Sequence, residues 1–85
     1  MTEEEPREVS RETARRVLQA AAVEAFGRPG AYVTRGQVMR RAAMVDLEVF
    51  WAIAEYLEEP GWIAGADTDY GVFVLTPEGL DEAMR

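Results

Sequence analysis

Two short helical patterns, separated by a tight connection, constrain this chain more than anything else in its sequence. Thr34 followed by Gln37 forms a capping box, Thr-x-x-Gln, that opens a helix. Val38, Met39 and Ala42 supply its apolar side, and it ends near Ala43. Asp46 then caps a second helical run. Leu47, Phe50, Ile53, Ala54 and Leu57 recur at helical spacing and predict a buried stripe, which Pro60-Gly61 stops. Residues 34–43 and 46–59 are thus two short helices joined by a few residues, an arrangement that reads as one supersecondary unit.

The flanking segments complete a small domain. Ahead of the pair lies another helix, with three glutamates and Pro6 marking its N-terminal side and Gly27 its end. Ala14, Val17, Leu18, Ala21 and Ala25 form its apolar stripe. Its other face offers Glu8–Arg11, Glu12–Arg15 and Glu12–Arg16 at helical spacing, which reads as a solvated face that pairs with itself. Arg28-Pro29-Gly30 is a turn, and Ala31-Tyr32-Val33 is a short β-prone edge. After the helix pair, Trp62-Ile63-Ala64 and Tyr70-Gly71-Val72-Phe73-Val74-Leu75 bracket a Gly- and Asp-containing loop, the pattern of a β-hairpin. Thr76-Pro77 then starts a last short helix, within which Leu80, Ala83 and Met84 are placed to pack back on the core. Phe50, Trp62 and Phe73 read as core aromatics. Trp51, adjacent to Phe50, belongs either to the core edge or to the surface.

Composition excludes several kinds of chemistry. The 85 residues suit one domain. There is no Cys and no His, and all nine cations are Arg. Disulfides, Cys or His zinc sites, thiol nucleophiles, histidine bases and lysine Schiff bases are therefore ruled out. Asp67 and Asp69 are the one pair of loop carboxylates, but the spacing lacks the further oxygen ligands of a calcium loop and reads as a turn with local Asp hydrogen bonds. No nucleophile–base pair and no phosphate-cradling glycine loop is present. The expectation is a protein that is not an enzyme, with no catalytic residues, no cofactor, no metal and no evident small-molecule substrate. No apolar run approaches the roughly 20 residues of a membrane span, and the first residues lack a signal-peptide pattern. A cytoplasmic location is expected.

Charge is unevenly spread within a net of −7. Residues 1–30 hold five Arg and six Glu, residues 31–45 hold three Arg and no acid, and residues 46–85 hold ten acids and one Arg. The basic island is Arg35, Arg40 and Arg41, with Gln37 among them.

The order helix, short strand, helix, helix, hairpin, helix resembles the winged helix-turn-helix family of bacterial and archaeal regulators. The likeness is carried by Tyr56-Leu57-Glu58-Glu59-Pro60-Gly61-Trp62-Ile63, similar to a recognition helix running into a wing strand. It is also carried by Tyr70-Gly71-Val72-Phe73-Val74-Leu75-Thr76-Pro77-Glu78-Gly79, similar to the second wing strand and its turn into the last helix. The resemblance implies an α+β fold with a three-helix core, a C-terminal β-hairpin wing and a short final helix over residues 10–85, preceded by an acidic segment at 1–9. It further implies that the third helix and the wing tip would face DNA, through Arg or Lys on phosphates and Arg, Asn or Gln on bases.

The outward positions of that third helix do not suit the task. They are Glu48, Val49, Ala52, Glu55 and Glu59, with Trp51 and Tyr56 at the borders, and none is Arg, Lys, Asn or Gln. The wing tip offers Asp67 and Asp69. The reading is therefore a protein-interaction module, with Glu48, Trp51, Glu55 and Tyr56 as candidate docking residues for a protein partner or a second copy. The competing reading is a DNA-binding domain of a transcriptional regulator, resting on Arg35, Gln37, Arg40 and Arg41. Against it, those arginines are expected to pair with the acidic third helix or wing.

Overall fold

The computed structural model describes residues 10–66 and 71–85. The elements are α1 (Arg11–Glu24), β1 (Tyr32–Thr34), α2 (Arg35–Arg41), α3 (Leu47–Glu58), β2 (Ile63–Ala64), β3 (Val72–Leu75) and α4 (Pro77–Ala83). The fold is α+β, with four helices and a three-stranded antiparallel sheet in the order β1-β3-β2. β3 is central. Val33 lies opposite Phe73 on one side, and Ile63 lies opposite Leu75 on the other. The β-prone edge seen in the sequence is thus a true edge strand, shifted one residue toward Thr34.

Local chemistry explains most element ends. Ser10 caps α1, its side-chain oxygen accepting from the Thr13 N–H at 3.0 Å. Ser10 is thus the N-cap of α1, and Pro6 and the glutamates before it lie outside the described residues. Thr34 accepts the Gln37 N–H at 3.2 Å, and its hydroxyl donates to the Gln37 side-chain oxygen at 2.8 Å. The Thr–Gln pair thus closes on itself side chain to side chain. Asp46 accepts from the Glu48 and Val49 N–H groups at the start of α3.

Both α1 and α2 end in a Schellman arrangement. The Gly27 N–H reaches back to the Ala22 carbonyl at 3.0 Å, and the Met44 N–H to the Met39 carbonyl at 2.8 Å. The left-handed position is filled by a non-glycine residue each time: Phe26 at φ 56° and Ala43 at φ 57°. Each such residue costs on the order of 1 kcal/mol relative to glycine.

One core joins all layers. Val17, Leu18, Val38, Phe50, Ile53, Leu57, Phe73 and Leu75 are its largest enclosed side chains, and no polar or charged residue is buried among the described ones. Alanines at 14, 20, 21, 22 and 25 leave α1 thin, so the other helices come close to its backbone. The Phe50 and Phe73 rings meet at 6.1 Å, tying α3 to the central strand. Trp62 is half-buried at the edge of this core, not within it.

Three expectations about packing are corrected. Leu47 heads the apolar stripe of α3 but is 44% exposed, because the first turn of α3 projects past the core. Met84 is 75% exposed, because α4 ends at Ala83 and its cap residue overhangs the domain. Among the described residues, Arg15 and Arg16 do not pair with Glu12 on their own helix, and the expected Glu8–Arg11 pair lies outside them. Arg15 donates to the Arg85 carbonyl at 2.7 Å and meets Glu82 at 3.7 Å, and Arg16 reaches the Ala42 carbonyl at 3.3 Å. Those side chains therefore tie α1 to α4 and to the end of α2.

Candidate interaction surfaces

Arg35 is the first residue of α2, and its N–H donates to the Gly71 carbonyl at 2.7 Å. That bond sets the start of α2 against the base of β3. The guanidinium then lies over the Trp51 ring, 5.3 Å from its centroid. Gly71, at φ 68°, has no side chain to obstruct it; a Cβ there would stand 3.4 Å from the Arg35 guanidinium. Arg35 is thus half-buried where α2, α3 and β3 meet.

The other members of the basic group diverge. Arg41 turns to α1 and pairs with Glu24 at 2.7 Å. Gln37 is occupied by the Thr34 hydroxyl. Arg40 is exposed and has no ion-pair partner among the described residues. The expected pairing of these arginines with the acidic third helix is not what the structure has. Among the described residues, one is stacked on an aromatic ring, one is bound to α1, and one is open. Asp67 and Asp69, the acidic pair that the sequence reading placed at a wing tip, lie outside the described residues.

The outer face of α3 keeps its acids in water. Glu48, Glu55 and Glu59 are exposed and carry no ion pair among the described residues. Glu58 is engaged instead, accepting the Ala66 N–H at 3.0 Å and so fastening the base of the hairpin to α3. Trp51 is half-buried at the core edge, its ring edge-on to Phe50 at 5.7 Å. Between α3 and the hairpin base runs a shallow groove of about 260 Å³, lined by Trp51, Ala54, Glu55, Glu58 and Ala66. Its walls are mostly apolar, and carboxylates stand along one side.

Tyr56 belongs to a different face. With Leu57 and Trp62 it lines a cleft of about 380 Å³ toward α1, closed on the far side by Arg11, Arg15 and Glu82. The four residues read from the sequence as one docking set therefore split: Trp51 and Glu55 share the groove, Glu48 stands one turn before Trp51 on α3, and Tyr56 faces α1. Sequence reasoning missed Ala66 and the buried-side role of Glu58. Both depend on how the hairpin folds back on α3, for which the sequence carries no local signal. It also missed Phe26, 85% exposed, since the usual reading of a helix end points to Gly27 instead.

No three Asp or Glu side chains among the described residues converge on a position that would hold a metal ion. No helix among them is long and apolar enough to cross a membrane. The chain matches no protein-family model, no curated protein and no solved structure.

Proposed function

We propose that this chain is a winged helix-turn-helix module that binds a protein partner through α3 and the hairpin base, and that it performs no catalysis. The winged-helix reading is supported by the order of elements, by the α2–α3 pair and by the β2–β3 hairpin that follows it. The observation that carries the functional reading is the groove beside Trp51. It is lined by Trp51, Ala54 and Ala66 with Glu55 and Glu58, and Glu48 and Glu59 stand exposed on the same helix with no ion pair among the described residues. That chemistry fits a basic amphipathic segment, whose aliphatic stems cover Trp51 and Ala54 while its cations meet the glutamates.

A direct test measures fluorescence anisotropy of a labelled Arg/Lys-rich amphipathic peptide, an acidic peptide of matched hydrophobicity and a generic DNA duplex. Binding of the basic peptide alone, weakened by Glu55→Lys, is the expected result. Tight, salt-sensitive binding of the duplex with no binding of the peptide overturns the reading.

A second reading has one observation in its favour. Arg40 is solvent-facing and unpaired among the described residues, beside Gln37 at the same end of the domain. If the module serves as the DNA-binding domain of a regulator, Arg40→Ala with Arg41→Ala abolishes a gel shift that the parent protein gives at low salt.

A further inference from the structure

The cleft between α1 and the end of α3 shares no residue with the α3 groove, and its charge has the opposite sign. Two glutamates and no cation line the groove, whereas Arg11, Arg15 and a single glutamate, Glu82, line the cleft. The cleft volume, about 380 Å³, falls within the range of about 300–1,000 Å³ typical of small-molecule sites. Leu57, fully buried, belongs to its lining, as do the partly exposed rings of Tyr56 and Trp62. Such walls suit an apolar body of modest size.

Two of the three charged side chains are already engaged. Arg15 donates to the Arg85 carbonyl at 2.7 Å and stands 3.7 Å from Glu82. Glu82 also pairs with Arg85 at 3.1 Å, so its charge is answered from two sides within the chain. Arg11 differs. It is exposed and has no ion pair among the described residues. It lies one turn before Arg15 on α1, so the two stems share a helix face. The cleft therefore sets one uncompensated guanidinium beside an aromatic wall.

We propose that this cleft binds a small organic carboxylate, with its head on Arg11 and its apolar body against Tyr56 and Trp62. Charge selects the head: the planar guanidinium offers a carboxylate paired donors, while a cationic head would meet Arg11 and an already engaged Glu82. Charge also selects the size. The net of −7 opposes an extended polyanion at every group it carries, whereas a monoanion meets that repulsion once. With one free cation and an open mouth the affinity is modest, a Kd on the order of 1 mM for a ligand of about ten non-hydrogen atoms.

Trp62 lines this cleft and Trp51 lines the groove, so their two indole N–H resonances report on the two sites separately. Heteronuclear NMR titration of the full chain uses phenylpropanoate, phenylpropanamide and phenylpropylamine, one body with an anionic, a neutral and a cationic head. Trp51→Phe assigns the resonances. The expected result is a saturable movement of the Trp62 resonance by phenylpropanoate while that of Trp51 stays in place. The amide binds about three- to tenfold more weakly, and the amine more weakly still. Arg11→Gln lowers the affinity for the acid to that of the amide, and Arg11→Lys restores part of the difference. Arg11 is exposed, so neither substitution threatens the fold. Tyr56→Ala weakens all three probes. Absence of a saturable Trp62 shift with the acid overturns the proposal. So does equal binding of acid and amide, or an Arg11→Gln protein that binds the acid as the parent does. Peptide binding at the α3 groove is read on other residues, so either site can fail without the other.

Discussion

Gly79→Ala is the substitution with the largest predicted effect, and the reason is room, not backbone freedom. Gly79 sits in the first turn of α4 and is fully covered. A Cβ built there meets the carbonyl carbon of Trp62 at 2.8 Å, the carbonyl oxygen closer still, and Leu75 Cδ1 at 3.0 Å. Comfortable separations are about 3.5–4.0 Å, so α4 must retreat from Trp62 by about an ångström. The same Trp62 carbonyl accepts the Thr76 N–H at 3.1 Å, and the Thr76 hydroxyl donates to the Gly61 carbonyl at 2.6 Å, with the Trp62 carbonyl at 3.0 Å sharing that proton. Both bonds hold the start of α4 to the start of β2, and the retreat breaks or stretches both. Each is worth about 0.5–1.5 kcal/mol net. Overpacking of a closed site adds about 1–3 kcal/mol, offset by about 0.5–1 kcal/mol from the better helix propensity of alanine. The net is a destabilisation of about 2–4 kcal/mol. In a domain of this size that lowers Tm by roughly 10–25 °C. Thermal and urea unfolding followed by circular dichroism measure it, with exposed Asp81→Ala as a control expected to stay within about 0.5 kcal/mol. A Gly79→Ala protein melting within a few degrees of the parent would mean that α4 is not clamped to Trp62 and would refute the argument.

Three further outcomes follow from the same geometry. Ala43→Gly relieves the left-handed strain at the end of α2 and is expected to raise stability by about 0.5–1 kcal/mol in urea unfolding; a loss of stability would contradict the observed turn. Arg35→Ala uncovers Trp51 and removes the cation over its ring, costing about 0.5–1 kcal/mol. In a Trp62→Phe background its fluorescence should shift to longer wavelength, and an unshifted spectrum would place Arg35 elsewhere. Glu58→Ala removes the acceptor for the Ala66 N–H, so that amide should exchange with deuterium faster than in the parent while Leu18 and Phe50 keep their protection.

Local chemistry made the skeleton of this fold legible. Thr34 with Gln37, Asp46, Thr76 with Pro77, and Pro60-Gly61 each announce an element end within a few residues of chain, and each stands where the chemistry placed it. The cap of α1 was less legible: Pro6 and the glutamates, which lie outside the described residues, satisfy the same rules as Ser10, and the sequence alone does not choose between them. The surface charges were less legible still. Arg15 has Glu12 three residues away and yet binds Glu82 and the Arg85 carbonyl, and Arg41 crosses to Glu24. Those choices are made by helix packing, which brings distant acids nearer than adjacent ones. The overhang of Met84 and the exposure of Leu47 have the same origin. Helical spacing assigns a residue to a face but does not say whether the facing layer extends that far.

Magnitudes decide how much weight the arginines of α2 can bear in a nucleic-acid contact. Two unit charges about 6 Å apart in water interact with about 0.7 kcal/mol, reduced by about half at physiological salt. Glu48, Glu55 and Glu59, placed toward phosphates, would thus oppose binding by about 1–2 kcal/mol in all. Arg40, a single charge, offers only about 0.3–0.7 kcal/mol with the opposite sign. Arg41 must first leave Glu24, and Arg35 must leave the Trp51 ring, so each gives back in the free protein part of what it would gain on DNA. Three arginines on phosphates would produce a salt slope of about −2.7 in log K against log salt, and one alone about −0.9. The arrangement around Arg35 and Arg41 favours the smaller slope, so a measured slope near −2.7 would count for the DNA-binding reading and against the proposed protein partner. The same glutamates that oppose a phosphate attract a cationic side chain, and Trp51 beside them supplies the apolar area that exposed charge pairs lack.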